Sequence, residues 1–223
     1  ATQWNELKSI KYESNYFDFL QYSKFSGSED VLNLILSKNL TAKTPYKAAL
    51  ELCEYIYTNF KYIQGVTNVN STIEDVWNLK AGVCQDFTNI LLQIVRMCGI
   101  PARYVSGYIC PSDDITRGEG ATHAWIEVYI PFYGWLGIDP TNNAIANENH
   151  VRIAVGRNYD DCSPVKGVFK RKVESDLFVK VEISTTKSKE TAIIPPNTFT
   201  GSETNNSYQR NLERIQQQQQ QQQ

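Results

Sequence analysis

Apolar residues recur at helical spacing in the first half of the chain, and one clear stripe begins near residue 45. Thr44 followed by Pro45 is a typical N-cap and first helical residue. The apolar positions that follow lie three or four residues apart and share one face of the predicted helix: Ala49, Cys53, Ile56 and Phe60. Because Cys53 lies within this stripe, we expect it to be a small core residue.

A longer helix is predicted from about Cys84 to Cys98, and Gly99 and Pro101 are typical of the end of a helix. Its apolar positions again form one stripe: Phe87, Leu91, Ile94 and Cys98. Cys98 is therefore expected to be buried, whereas Cys84 lies at the mouth of the helix.

Two shorter helices are predicted from capping boxes, in which a serine is followed three residues later by a glutamate. Ser26 and Glu29 precede a helix over about residues 30–36, and Ser71 and Glu74 open another. Each box would satisfy backbone N–H groups that the first helical turn leaves unpaired.

Beyond residue 102 the pattern changes to short runs rich in Tyr, Val, Ile and Trp, which favour strands. Strands are predicted there at residues 103–109, 123–130, 135–138, 151–155 and 177–183, and one earlier strand is predicted at residues 60–66. Because most helices come first and most strands follow, the pattern predicts an α+β domain in which N-terminal helices pack on an antiparallel sheet.

Composition divides the chain into three regions. Residues 1–27 are rich in aromatic side chains, and we interpret them as an irregular, partly extended remnant of a preceding β-rich region or an N-terminal extension. Residues 28–184 hold the main predicted helices and strands. Residues 185–223 are rich in Ser, Thr, Asn and Pro and end in the glutamine run 216–223, which predicts a disordered low-complexity tail.

Charge and hydropathy argue against two classes of partner. The 22 basic and 24 acidic residues give a net charge of −2, and no Lys/Arg cluster of the kind typical of nucleic-acid binding is present. No apolar run approaches the roughly 20 residues that a membrane-spanning helix needs, and no basic amphipathic helix is evident. We therefore expect neither a nucleic-acid nor a membrane partner.

The chain has five cysteines at irregular spacing, an arrangement that does not favour a disulfide framework: Cys53, Cys84, Cys98, Cys110 and Cys162. There is no C-x-x-C pair and no calcium-loop pattern, so we expect no metal and no cofactor. Free thiols are typical of a reducing compartment, which predicts a cytoplasmic location.

The strongest candidate for chemistry is Cys84, because Gly82 and Val83 place it in the first turn of the predicted long helix. The helix N-terminus favours a thiolate, and such positions lower a cysteine pKa from about 8.5 to roughly 3.5–7.5. A nucleophilic cysteine needs a base, and the chain has two histidines. His123 begins a predicted strand, whereas His150 lies in a polar loop.

A third group favours His123 as the base. Asp139 closes a strand that a short hairpin joins to the strand of His123, so the imidazole and the carboxylate can lie side by side. The carboxylate would then orient the imidazole and stabilise its protonated form. The alternatives are a structural strand histidine and a turn-forming Asp-Pro pair.

Four ordered motifs resemble the core of the transglutaminase-like superfamily, and more narrowly its bacterial cysteine protease branch. They are residues 82–87 (GVCQDF), 99–108 (GIPARYVSGY), 122–128 (THAWIEV) and 134–141 (GWLGIDPT). The segment 150–168 also resembles the end of those proteins, and the likeness covers roughly residues 28–183. It implies a papain-like (cysteine proteinase) transglutaminase-core fold and a Cys84–His123–Asp139 triad.

Neighbouring residues are open to more than one interpretation. Gln85 is a candidate contributor to an oxyanion hole, beside the Cys84 backbone N–H. Trp125 is a candidate wall of the substrate cleft, as is Trp135, with core packing as the alternative for both. We expect Asp86 to support the helix N-terminus and Arg103 to form an ion pair.

The resemblance and the residues together predict amide acyl transfer through a thioester on a protein or peptide substrate. Hydrolysis by water is favoured, because members of the branch that the motifs resemble are usually interpreted as cysteine peptidases and the sequence has no calcium-loop pattern; the charged loop 111–120 also suggests a solvated rim. Transfer to an amine, as in a crosslinking transglutaminase, uses the same three residues and remains an alternative. A third alternative is a catalytically silent binding module, although all three triad positions are filled.

Overall fold

The computed structural model describes residues 2–68, 71–110 and 122–163. Its helices are α1 (Thr2–Ser9), α2 (Ser14–Phe17), α3 (Ser28–Ser37), α4 (Pro45–Asn59), α5 (Ile73–Leu79), α6 (Cys84–Met97) and α7 (Tyr159–Cys162). Its strands are β1 (Lys61–Tyr62), β2 (Ala81–Gly82), β3 (Ala102–Ile109), β4 (Thr122–Ile130), β5 (Gly134–Asp139), β6 (Ala144–Ile145) and β7 (His150–Gly156). The predicted strand at 177–183 and the predicted tail at 185–223 lie outside the described residues.

The main sheet has five strands in the order β6–β5–β4–β3–β7, and each of its neighbouring pairs is antiparallel. A separate parallel pair joins β1 to β2, just before α6. The predicted α+β fold, with helices packed on an antiparallel sheet, is confirmed.

The core lies between α6 and the sheet, because alternate residues of β4 face the apolar stripe of the helix. Ala124, Ile126 and Val128 belong to the same buried cluster as the predicted stripe residues of α6 and α4. Phe87, Leu91 and Ile94 are fully buried, as are Ala49 and Ile56. This packing fixes the two elements that carry Cys84 and His123.

The N-terminal residues are helical rather than extended, so that part of the prediction is wrong. Helices α1 and α2 and two short 3₁₀ turns cover most of residues 2–20. An aromatic cluster attaches this segment to the sheet: the Tyr16 ring lies 4.6 Å from that of Tyr129, and Phe19 lies 5.4 Å from Trp135. Its origin as a remnant of a preceding region stays a prediction.

Both predicted capping boxes are wrong in detail. Helix α3 has Gly27 as its N-cap, with no side-chain capping bond. Helix α5 is capped one residue later than predicted, by Thr72 with Asp75 as the reciprocal partner. Glu74 instead accepts a hydrogen bond from the Ser26 backbone N–H at 2.8 Å, so a tertiary contact replaces the local one.

The start of α4 agrees with the sequence pattern, whereas the first strand is shorter than predicted. Thr44 caps α4 by accepting from the Lys47 N–H, with Pro45 as the first helical residue. The predicted strand at 60–66 shortens to β1, because β2 offers two residues for pairing.

Among the described residues, no helix is long and apolar enough to cross a membrane.

Candidate active site

Cys84 is the first residue of α6, and a short parallel sheet holds the chain that leads into it. In this sheet Tyr62 pairs with Gly82, and the Ile63 N–H donates to the Gly82 carbonyl at 3.0 Å. Val83 is extended, and the helix begins at the next residue. The thiol is therefore placed at a helix N-terminus by anchored backbone, and it stays partly exposed.

Asp86 supports this entry from within the first turn, as the sequence predicted. Its Oδ2 accepts from the Val83 N–H at 2.8 Å and from the Thr67 hydroxyl at 2.6 Å. Burial raises the pKa of the Asp86 carboxyl, and these two hydrogen bonds partly offset the effect. The carboxylate lies so close to Gly82 that an added Cβ there would be 2.5 Å from Oδ2.

His123 and Asp139 lie side by side because of the register between β4 and β5. Ile126 pairs with Ile138, so Asp139 lies opposite Trp125, and His123 is the next residue along β4 on that face. The His123 Nε2 and Asp139 Oδ2 atoms are 2.8 Å apart, and both side chains are fully buried. The predicted juxtaposition of this imidazole and carboxylate is present.

The carboxylate of Asp139 is held by further donors from the turn that follows it. Oδ1 accepts from the Thr141 N–H at 2.9 Å, and Oδ2 accepts from the Asn142 amide Nδ2 at 2.8 Å. Burial raises the pKa of Asp139, but the hydrogen bonds from imidazole and amide groups outweigh burial and hold the pKa well below its ordinary value. Asp139 is therefore a buried, oriented anion.

The second nitrogen of His123 is not bonded to Asp139. With Nε2 bonded to Asp139, Nδ1 is buried and has no formed hydrogen bond among the described residues. Cys84 is nevertheless close enough to affect this ring. Burial lowers the pKa of His123, but the contacts with Asp139 and Cys84 prevail and raise it to about 10. A loose cysteine–imidazole contact of this kind is common before substrate binds.

His150 is the residue that sequence reasoning missed. It begins β7 rather than lying in a loop, and its Nε2 atom is 3.2 Å from the same Asp139 Oδ2 that His123 contacts. Its side chain is 4% exposed. The pattern along the chain gives little signal for this contact, because it depends on the order of strands in the sheet.

Trp125 packs behind both imidazoles. Its ring is 6.1 Å from that of His123 and 5.2 Å, edge to face, from that of His150. It is almost fully buried, which agrees with the packing alternative. Gln85 is half-buried in the first turn of α6, and its oxyanion role stays a prediction.

Arg103 forms the predicted ion pair, with Glu127 at 2.6 Å. Its guanidinium group also lies 4.3 Å from the centre of the Trp135 ring. Trp135 thus packs against Arg103 and against aromatic rings of the N-terminal segment. These contacts favour a packing role for Trp135 and not a role as a wall of the substrate cleft.

One grouping of side chains in the described residues could also hold a metal ion. The ligand atoms of His123, Asp139 and His150 all lie within 4.8 Å of one another. The hydrogen bonds among these groups account for the arrangement without an ion. The expectation of no metal stays a prediction.

Residues 35–140 match the family model of the transglutaminase-like superfamily. The chain carries a transglutaminase-like core. The match contains all three predicted triad positions, and it agrees with the resemblance carried by the four sequence motifs.

Two further comparisons agree with this assignment. An uncharacterized protein of Mycobacterium leprae is 34% identical over 184 residues, which are 81% of this chain and 65% of that protein. A crystal structure from Cytophaga hutchinsonii, named a "Putative Cysteine Protease", shares 28% identity with a TM-score of 0.58 and covers 70% of this chain and 51% of that one. These similarities support a papain-like transglutaminase-core fold.

A shorter stretch of the chain is similar to a protein named as a transferase. A protein-glutamine gamma-glutamyltransferase of Pseudomonas aeruginosa is 30% identical over 80 residues, which are 34% of this chain and 12% of that protein. The chain spans 65% of the length of the Mycobacterium leprae relative and 45% of a Mycobacterium bovis one.

Proposed function

We propose that this transglutaminase-like core hydrolyses amide bonds of protein or peptide substrates, with Cys84 as nucleophile, His123 as acid and base, and Asp139 as orienting anion. The observation that carries the proposal is that the two nitrogens of the His123 ring have different surroundings. Its Nε2 is bonded to the Asp139 carboxylate, its Nδ1 is buried without a hydrogen bond among the described residues, and Cys84 is close enough to raise the pKa of the ring.

The first half of the reaction forms a thioester. The Cys84 thiolate attacks the carbonyl carbon of the substrate amide, and a tetrahedral intermediate with an oxyanion results. The carbon–nitrogen bond then breaks as His123 Nδ1 gives its proton to the departing amine. Asp139 stabilises the imidazolium before this transfer and holds the ring in place.

The second half returns the free enzyme. Neutral His123 takes a proton from water, whose oxygen attacks the thioester carbon. The carbon–sulfur bond breaks, the product leaves as a carboxylic acid, and the thiolate and imidazolium form again. An amine in place of water would give a new amide by the same steps.

Two observations favour water over an amine as the acceptor. A Cytophaga hutchinsonii structure named for a cysteine protease is similar to 70% of this chain, with 28% identity and a TM-score of 0.58. Cys84 itself is partly exposed, which is compatible with access of water to a thioester. The loop at 111–120 lies outside the described residues and adds no support.

Amine transfer remains the second candidate, because 80 residues of the chain are 30% identical to the transferase and the same three residues could carry either reaction. The test is to incubate the protein with a glutamine-containing protein and a fluorescent primary amine, and to measure peptide cleavage and amine incorporation in parallel. Hydrolysis predicts new carboxyl termini or released ammonia, with little incorporated amine.

The matched controls are Cys84→Ser and Cys110→Ser, since Cys110 is the other partly exposed cysteine. Activity should be lost in the first variant and kept in the second. Strong incorporation of amine that depends on Cys84, without matching hydrolysis, would identify a transferase instead. Binding of a peptide without either reaction would support a catalytically silent module.

A further inference from the structure

We infer that His150 is a positioning residue, which holds the Asp139 carboxylate in the orientation that His123 requires. The inference rests on the proposed function, since it extends the same site by one member. His150 Nε2 lies 3.2 Å from Asp139 Oδ2, on the oxygen that also accepts from His123. His150 acts through Asp139, so it does not itself take part in the reaction.

The surroundings of the His150 ring determine which of its two nitrogens carries the proton, and hence whether Nε2 can donate to Asp139. The backbone N–H of Asn147 lies 3.2 Å from Nδ1 and donates to it in the neutral ring, which leaves the ring proton on Nε2. Nδ1 is also 3.2 Å from the Asn147 side-chain oxygen, a contact that a doubly protonated ring satisfies. In both forms Nε2 carries a proton and donates it to Asp139.

The fold brings His150 to this place through a connection that crosses the sheet. Strands β6 and β7 lie at opposite edges, so residues 146–149 must pass from one edge to the other. The Ala146 N–H bonds to the Gly137 carbonyl at 3.0 Å at one end of the connection. At the other end the His150 N–H bonds to the Asn147 carbonyl at 2.9 Å. The ring is further fixed edge-on against Trp125.

These contacts give Asp139 a fixed set of donors. Oδ2 accepts from two imidazoles and from Asn142, and Oδ1 accepts from the following backbone. A carboxylate bonded on both oxygens cannot rotate without breaking several charge-assisted bonds. Removing the His150 donor leaves Asp139 Oδ2 with one hydrogen bond fewer, so the carboxylate holds the His123 ring less firmly. The substitution leaves Cys84 unchanged.

The experiment compares two substitutions at one position. His150→Gln keeps an N–H donor close to the place of Nε2, whereas His150→Leu has similar volume and no donor. We expect the leucine variant to lower kcat roughly tenfold, the usual effect of losing a buried hydrogen bond to a charged group, with KM changed less than about twofold. The glutamine variant should stay within about threefold of the native kcat.

A second readout does not need turnover. The proton resonance of the His123 Nε2–H group reports its hydrogen bond to Asp139, and it should shift in the leucine variant and stay near its native position in the glutamine variant. If the native protein cleaves no amide, the proposed function fails, and this resonance alone decides the role of His150. His150→Asn, which is polar but too short to reach Asp139, replaces the leucine variant if that does not fold.

The matched control is Ile153→Ala, because Ile153 lies on the same strand and is 65% exposed. It should leave kcat and the resonance unchanged. An unshifted resonance and native kcat in the folded leucine or asparagine variant would overturn the inference. Equal damage by glutamine and leucine would also overturn it, since a positioning role requires rescue by the remaining donor.

Discussion

The protonation of His123 ties the stability of the site to pH. Its pKa is raised to about 10, above the value of about 6.5 for an unfolded chain. A group whose pKa is higher in the folded state binds its proton more tightly there. The stabilisation is therefore complete below about pH 6.5 and is lost as pH rises through about 10.

At the scale of the single residue, we predict that Cys84→Ser lowers the pKa of His123. Cys84 is one of the groups that raise the pKa of His123, partly through the charge of its ionised sulfur, and a serine hydroxyl does not carry that charge. An NMR titration of the imidazole nitrogens measures the pKa directly. Cys110→Ser is the control and should leave it unchanged. The same His123 pKa in the Cys84→Ser protein would show that the thiol and the imidazole are not coupled.

The sequence could predict that His123 lies beside Asp139, but not that His150 does. Cys84 has a local signal in its place at a helix mouth, and His123 and Asp139 lie on strands joined by a short hairpin. His150 contacts Asp139 because a connection crosses the sheet, and that depends on strand order. No spacing of two or four residues marks such a contact.

At the scale of the element, the entry into α6 depends on the space above Gly82. The Asp86 carboxylate fills this space while it bonds the Val83 N–H, so a methyl group at residue 82 would displace the carboxylate or the turn. The geometry of the first helical turn, and with it the direction of Cys84, therefore depends on the absence of a side chain at Gly82.

We predict that Gly82→Ala destabilises the protein by about 1–3 kcal/mol, the usual cost of overpacking, and also slows alkylation of Cys84. Urea denaturation and a thiol-labelling rate measure the two effects. Gly99→Ala is the matched control at the other end of α6, where φ is +85° but no atom lies within 4 Å of an added Cβ. It should lower stability through backbone strain and leave Cys84 labelling unchanged. Equal labelling rates in both variants would refute the link.

The helix boundaries show where local signals suffice. Thr44 and Pro45 predicted the start of α4 correctly, because cap and first turn are adjacent residues. The box at Ser71 failed by one position, since Thr72 offers an equivalent hydroxyl and Glu74 is drawn to Ser26. Helices as short as α1 and α2 are marginal alone and depend on packing, so their sequence carries a weak signal.

At the scale of the whole molecule, one buried arginine joins segments that are distant in sequence. Arg96 of α6 donates to the carbonyls of Gln21, Ala102 and Arg157. Two of these partners are 75 and 61 residues away. Hydrogen bonds to backbone carbonyls carry no residue signature, so the sequence could not predict them. They attach the N-terminal segment and the end of β7 to the helix that carries Cys84.

The distribution of the five cysteines provides a comparison within one molecule. Cys53, Cys98 and Cys162 are buried, and burial raises the pKa of each thiol, that of Cys98 to about 11. Cys84 and Cys110 are both partly exposed, and none of the five is in a disulfide. A difference in reactivity between Cys84 and Cys110 would therefore reflect the chemical environment of the two thiols more than their exposure to the reagent.

The most direct measurement is alkylation of the native protein at about pH 6.5 with a limiting thiol reagent, followed by peptide mapping of all five cysteines. We predict that Cys84 is modified first, at least about tenfold faster than Cys110, because His123 lies close enough to take the proton of its thiol. His123→Ala should reduce Cys84 to the rate of Cys110. Equal labelling of Cys84 and Cys110 in the native protein, or an unchanged Cys84 rate without His123, would contradict the assignment of Cys84 and His123 as nucleophile and base.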